Sequence, residues 1–320
     1  MDKRNFIWLL IVFSMVTGAV IFCTGIPRIE LTERDIEINL EHDGYSRDFI
    51  LHIPKHHENL NKIPLLIALH GGGGTAKGMI RLTKSRFNEL VDKHGFLVVY
   101  PQGLGKSWND GRQDPISYAH ENDIDDIGFL SKIIQSMEQE FRADPGRVFV
   151  TGISNGGFMS IRVSRELADQ VKAVTPVCAG IPLVTKGAHM NGSPINILLV
   201  NGTTDPLVPY NGGEVEVLGK KRGKIISTDE TIRIFVTRNG CSDVSEIEEL
   251  EDRDPKDGTR VIREEYVNTE TGNKVVLLKV VDGGHTWPGG WQYLNEKWIG
   301  RTSLDINACD EIWSFFSSLR

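Results

Sequence analysis

The first residues in the chain equipped for chemistry lie in Thr151-Gly152-Ile153-Ser154-Asn155-Gly156-Gly157. A serine with glycines two positions to either side fits the G-x-S-x-G pattern, where a tight turn between strand and helix lifts the hydroxyl above a sheet. The flanks agree with it. Arg147-Val148-Phe149-Val150 is rich in β-branched and aromatic residues, and 158–168 carries apolar residues at helical spacing. Taken alone, the pentapeptide also reads as an ordinary glycine loop. It has to be judged by its partners, because a hydroxyl needs a base to take its proton and the base needs a carboxylate to orient it. His285, in Gly283-Gly284-His285, and Asp205, in Asn201-Gly202-Thr203-Thr204-Asp205, each follow an apolar run and supply both. Of the nine histidines, His56, His57, His94 and His120 lie in polar stretches and read as solvated surface groups.

These residues need a scaffold that brings distant loops together. Strands are expected at 35–41 and 47–53, joined across Asp43-Gly44 as an antiparallel hairpin. Further strands fall at 64–69, 96–100, 147–150, 172–177, 195–201 and 274–281. The third is apolar throughout, as strands covered on both faces are. Helices are expected over 81–94, 125–141, 158–168 and 306–319, so the pattern is an α/β fold with an eight-stranded, mostly parallel sheet and helices on both faces. An excursion over 209–273, between the seventh and eighth strands, holds a helix near 231–239, an acidic run over 243–257 read as a solvated loop, and a strand near 259–267. No repeat or linker divides residues 27–320, which read as one domain. In open α/β sheets ligands bind beyond the carboxyl ends of the strands, which is where Ser154, Asp205, His285 and the run His70-Gly71-Gly72-Gly73 all fall. Glycines after a buried strand leave backbone amides free to face a substrate oxygen.

Composition narrows the function. The 320 residues are 40% hydrophobic and 25% charged, with 36 Lys+Arg against 43 Asp+Glu and a net charge of −7. No dense basic stripe is present, which excludes nucleic acid as a partner. Residues 1–26 differ from the rest: Lys3 and Arg4 precede a nearly unbroken apolar run from Asn5 to Phe22. This reads as an export signal, cleaved after Ala19 or Gly25 or retained as a membrane anchor. Phe22 stands where a lipid-modified Cys23 would require a small residue. Cys178, Cys241 and Cys309 remain beyond the signal. Cys178 sits in an apolar stretch and reads as a small buried hydrophobe, which leaves Cys241 with Cys309 as the preferred pair without establishing it. No spacing indicates a metal site, and Asp123, Asp125 and Asp126 read as helix capping and solvation at the start of 125–141.

The order Ser, Asp, His is that of α/β-hydrolases, and from about Arg47 to Phe316 the chain resembles exported esterases of the polyhydroxybutyrate depolymerase and feruloyl esterase type. The matching stretches are 64–74, Tyr100-Pro101-Gln102-Gly103, Ser107-Trp108-Asn109, 125–129, 147–157, 201–210, 283–289 and 312–316. The resemblance implies a Ser154 nucleophile, a His285 base, an Asp205 acid and an oxyanion hole built from the Gly72 and Asn155 amides, with no cofactor. Two departures stand out. Such proteins often carry cysteine at Gly72, and the usual cysteine before the last strand is absent, which puts a disulfide from Cys241 in doubt unless Cys309 replaces it. No appended substrate-binding domain is visible, which weakens the case for a solid polymer substrate. The expected reaction is hydrolysis of small or oligomeric carboxylic esters: hydroxyalkanoate oligomers, or feruloyl or acetyl esters of plant polysaccharide. A dipeptidyl-type peptidase lacks its usual N-terminal propeller here, and a silent binding protein would not need three catalytic residues and an oxyanion loop. Trp108, in the loop after the fourth strand, and Trp287, two residues beyond His285, are expected to border the crevice and offer indole faces to a sugar or phenolic ring, with Trp291 on its rim.

Overall fold

The computed structural model describes residues 27, 29–112, 117–242 and 246–319. The expected signal or anchor at 1–26 lies outside the described residues. Among the described residues, no helix is long and apolar enough to cross a membrane.

Strands β1 (Asp35–His42) and β2 (Tyr45–His52) form the expected hairpin, paired from Asp35 with His52 to His42 with Tyr45. Asp43 and Gly44 both have positive φ, 50° and 75°, as a tight two-residue hairpin turn demands. The chain continues through β3 (Ile63–Leu69), β4 (Leu97–Pro101), β5 (Ala143–Ile153), β6 (Ala173–Val177) and β7 (Asn196–Gly202). It then runs through β8 (Gly213–Val217), β9 (Lys220–Ile225), β10 (Glu246–Glu249), β11 (Arg260–Val267) and β12 (Lys274–Val281). The main sheet has the order β1-β2-β4-β3-β5-β6-β7-β12-β11-β10, and β8 with β9 forms a separate antiparallel ribbon. From β4 to β12 neighbouring strands are parallel, so their carboxyl ends share one edge. The chain steps outward from β3 to β4 and then crosses back over β3 to β5, and a crevice is expected above the strand ends where the direction of winding reverses.

Alternate side chains along each central strand feed two cores. Leu65, Ile67, Leu69, Val148, Val150, Ile197, Leu199, Val275 and Leu277 pack on one face with the helices Asp126–Phe141, Asn155–Glu166 and Thr228–Arg238. Leu66, Ala68, Val98, Phe149, Leu198, Val200, Val276 and Leu278 pack on the other, with Ala76–Leu82, Arg86–His94 and Ala308–Ser318. Each fully buried aliphatic side chain contributes about 1.5–3 kcal/mol. A sheet apolar on both faces therefore holds its strand ends rigid, which a site assembled from separate loops requires.

Four sequence expectations need correction. The sheet has ten strands rather than eight, because β11 pairs with β12 and β10 adds a further edge. β10 escaped detection because it lies in the acidic run and all four of its residues are exposed, leaving no hydrophobic period to read. The helix expected over 81–94 is two helices, broken where Lys84 and Ser85 take positive φ of 52° and 60°. Cys178, Cys241 and Cys309 are all free thiols: Cys241 packs against one core and Cys309 lies inside the other, with the sheet between them, whereas a disulfide needs Cα atoms within about 7 Å. Asp125 does cap its helix, accepting from the Gly128 amide at 2.9 Å, but Asp126 is buried rather than solvated and pairs with Arg47 at 2.6 Å.

Candidate active site

Ser154 stands between the end of β5 and the helix Asn155–Glu166, with φ 55° and ψ −121°. A non-glycine residue in this region is strained, and the surroundings enforce it. A Cβ on Gly152 would lie 2.5 Å from the Gly156 carbonyl carbon, and one on Gly156 would lie 2.5 Å from the carbonyl oxygens of Leu69 and His70. Only glycines allow the incoming strand and outgoing helix to cross this closely. The Ser154 amide donates to Val177 O at 2.9 Å, tying the turn to the end of β6.

The other expected residues converge here. His285 Nδ1 lies 2.7 Å from Asp205 Oδ2, and both side chains are buried. The second Asp205 oxygen accepts from the Leu207 and Val208 amides, each at 2.8 Å, so the carboxylate is held by its own turn while it holds the ring. His285 is fixed from behind by Tyr293 Oη, which donates to its carbonyl at 3.0 Å. Cys178, at the end of β6, is buried beside this pair, its thiol 3.3 Å from Thr286 O; burial, then the Asp205 charge, push that thiol well above the ordinary range.

The glycine loop sits against the serine. A Cβ on Gly71 would lie 3.6 Å from Ser154 Cβ, and one on Gly72 would lie 3.7 Å from Asn155 Cβ. The latter is ordinary van der Waals contact, so a Cβ at Gly72 would meet no clash. The loop is anchored by Gly73 N donating to Lys106 O at 2.8 Å and by Gly103 N donating to His70 Nε2 at 3.0 Å. Burial lowers the His70 pKa to about 4, so its ring is neutral and can accept this bond. Asn155 begins its helix, where backbone amides lack helical partners.

Ser154 and His285 line one cavity of about 630 Å³ with His70 to Gly74, Met79, Leu82, Leu207, Ile299 and others. Sequence reasoning missed much of its wall. Val215, Val217 and Arg222 come from the β8–β9 ribbon, and Tyr293 and Leu294 come from the loop after His285. Ribbon residues carry no local signal of a binding role, since they meet the site only through tertiary folding. Trp291 borders the cavity as expected. Trp108 and Trp287 do not: both are fully buried and absent from the lining. The Trp108 indole donates to His70 O at 2.9 Å beneath the glycine loop, and Trp287 packs edge-on against Phe87 with centroids 6.0 Å apart.

No family model matches the chain. A protein named as an esterase, NocK, from Nocardia uniformis subsp. tsuyamanensis is 31% identical over 258 residues, covering 79% of this chain and 73% of the relative. The chain belongs to the same family of esterases, built on an α/β-hydrolase fold. This esterase is also similar to a feruloyl esterase C of Aspergillus terreus, at 26% identity over 237 residues, 71% of this chain and 73% of that one. Feruloyl esterase B of Piromyces equi is 28% identical over 260 residues, 78% of this chain but only 45% of that protein. Among solved structures, an acetyl xylan esterase from Aspergillus awamori shares the fold, with a TM-score of 0.53 over 85% of this chain and 94% of that one at 16% identity. The esterase is thus a carboxylic ester hydrolase.

Proposed function

We propose that this esterase cleaves small or oligomeric esters through an acyl-enzyme on Ser154. His285 Nε2 takes the serine proton as Oγ adds to the ester carbonyl, and the resulting oxyanion is held by the Gly72 and Asn155 amides. The tetrahedral adduct collapses with expulsion of the alcohol, which receives the proton from His285; water, deprotonated by the same ring, then releases the acid. Asp205 keeps Nδ1 protonated and the imidazolium stabilised. The observation that carries this reading is the 2.7 Å contact from Asp205 to His285 Nδ1, which leaves Nε2 as the ring's free nitrogen in a cavity shared with Ser154.

Apolar side chains at Met79, Leu82, Val215, Val217, Leu294 and Ile299, with Trp291 and Tyr293, suit an aromatic acyl group or a short hydroxyalkanoate. The test is a fluorophosphonate probe together with a panel of p-nitrophenyl esters, methyl ferulate, acetylated xylan and hydroxybutyrate oligomers. A single labelled site, abolished in Ser154→Ala and His285→Ala while both variants keep their melting temperature, is expected; undiminished labelling of Ser154→Ala sinks the assignment. Export belongs to the same proposal, on the charge and apolar run of residues 1–26. The mass of protein released from cells should place its first residue near 20 or 26, and released protein that retains Met1 would refute cleavage.

A further inference from the structure

Asp110 is a buried charge close to the site, and the proposed reaction does not use it. The residue is 1% exposed. Oδ2 accepts from Arg112 Nη2 at 2.6 Å and from Asn155 Nδ2 at 2.6 Å, and Oδ1 lies 3.0 Å from His120 Nε2. Burial pushes the carboxyl up, but the Arg112 charge and the His120 bond outweigh it and hold the group well below the usual carboxylate range. It is therefore an ionised acceptor whose neighbours are all donors.

The Asn155 side chain is gripped on every polar atom. Its Oδ1 accepts from Trp108 N at 2.8 Å, while Nδ2 donates to Trp108 O at 2.9 Å as well as to Asp110. This is the residue whose own backbone amide the proposed mechanism assigns to the oxyanion hole. Arg112 extends the connection outward: its guanidinium lies 4.2 Å over the Phe158 ring and donates through Nη1 to Arg222 O of β9 at 3.0 Å. The loop that supplies Trp108 and Asp110 is itself pinned, because Asn109 N donates to the buried Asp126 at 2.7 Å.

We infer that Asp110 is a positioning residue for the oxyanion hole, fixing the Asn155 amide through the Asn155 side chain and tying it through Arg112 to the ribbon that walls the cavity. The inference rests on the proposed role of Ser154 and Asn155. A hydrogen-bond donor stabilises charge in a transition state only if it is already placed, and displacement of a catalytic group by about 1 Å can cost on the order of 100-fold in rate.

Two substitutions separate positioning from mere stability. Asn155→Ala keeps the amide and removes the clamp; Asp110→Asn keeps the shape and removes the charge. For p-nitrophenyl acetate, each is expected to lower kcat by about 10-fold to 100-fold with KM nearly unchanged, and to weaken a trifluoromethyl ketone inhibitor by the same factor, since its hemiketal oxyanion occupies the hole. Because both act through one contact, the double variant should lose no more than the worse single one. Wild-type kcat and inhibitor affinity in folded Asn155→Ala, or additive losses in the double variant, would overturn the inference. If Asp110→Asn does not fold, Asn155→Ala alone still decides whether the clamp positions the amide. Fluorophosphonate labelling that depends on Ser154 in the wild type keeps this failure distinct from failure of the nucleophile assignment.

Discussion

Trp287 and Trp291 are separated by three residues and have opposite fates. Both follow His285 in a glycine-rich loop, and position in the chain places both near the site. Trp291 borders the cavity, whereas Trp287 turns inward to the layer formed by Phe87, Cys309 and Ile312. Which way an indole points is decided by packing against elements distant in sequence, and no local pattern records it. The residues of the proposed triad were legible because each follows the end of a buried strand in a loop that contains glycine. Asp110 and Arg112 were also within reach: an acid and an arginine two apart in a loop after a central strand form a local signal, but one shared with many surface loops. Trp287→Ala should therefore behave as a core truncation. A cost of about 3–5 kcal/mol is expected for such a change, read as a lower melting temperature with similar activity losses on p-nitrophenyl acetate and methyl ferulate. A selective rise in KM for the aromatic ester, at unchanged melting temperature, would show that Trp287 reaches substrate after all.

At the scale of elements, legibility followed burial. The run Leu65 to Leu69 announced β3 because both of its faces are covered, and β7 and β12 were readable for the same reason. The hairpin was readable from Asp43-Gly44. The β8–β9 ribbon and β10 were not, because their composition is set by solvent: β10 is acidic and exposed throughout, and β9 reads Lys-Lys-Arg-Gly-Lys before its one buried apolar residue, Ile225. Yet the ribbon forms part of the cavity wall. Val215 and Val217 face the cavity by strand alternation, and Gly223 packs against the stem of Arg112, where an added Cβ would lie 3.6 Å from Arg112 Cβ. Elements that shape this part of the cavity wall are thus those with the weakest local signal, while elements that hold the proposed catalytic groups carry the strongest.

At the scale of the whole molecule, burial drives the pKa values of His70, in the wall of the cavity, and of His189, remote from it, far below the ordinary range. His70 is 2% exposed beneath the glycine loop, and burial lowers its pKa to about 4. His189, 1% exposed against Phe235, is lowered to about 3 by burial and then by the nearby charges of Arg165 and Arg238, with Glu166 opposing. Both folded values lie below the ordinary value of 6.5, so between that value and the folded pKa the unfolded chain binds more protons than the native one. Stability therefore falls as pH falls through this window, and each group carries on the order of 3 kcal/mol when fully protonated in the unfolded chain. Melting temperature should be flat above about pH 7 and drop steadily from pH 6.5 to 4.5. His189→Leu separates this from acid loss of carboxylate pairing, because it removes one titrating group far from Ser154 and also a ring nitrogen, Nδ1, that has no partner among the described residues. The variant should match or exceed the wild-type melting temperature at pH 7 and lose roughly half as much of it on acidification, with unchanged kcat on p-nitrophenyl acetate. An acid limb as steep as that of the wild type would mean that His189 does not titrate with unfolding and that carboxylates set the acid limit instead.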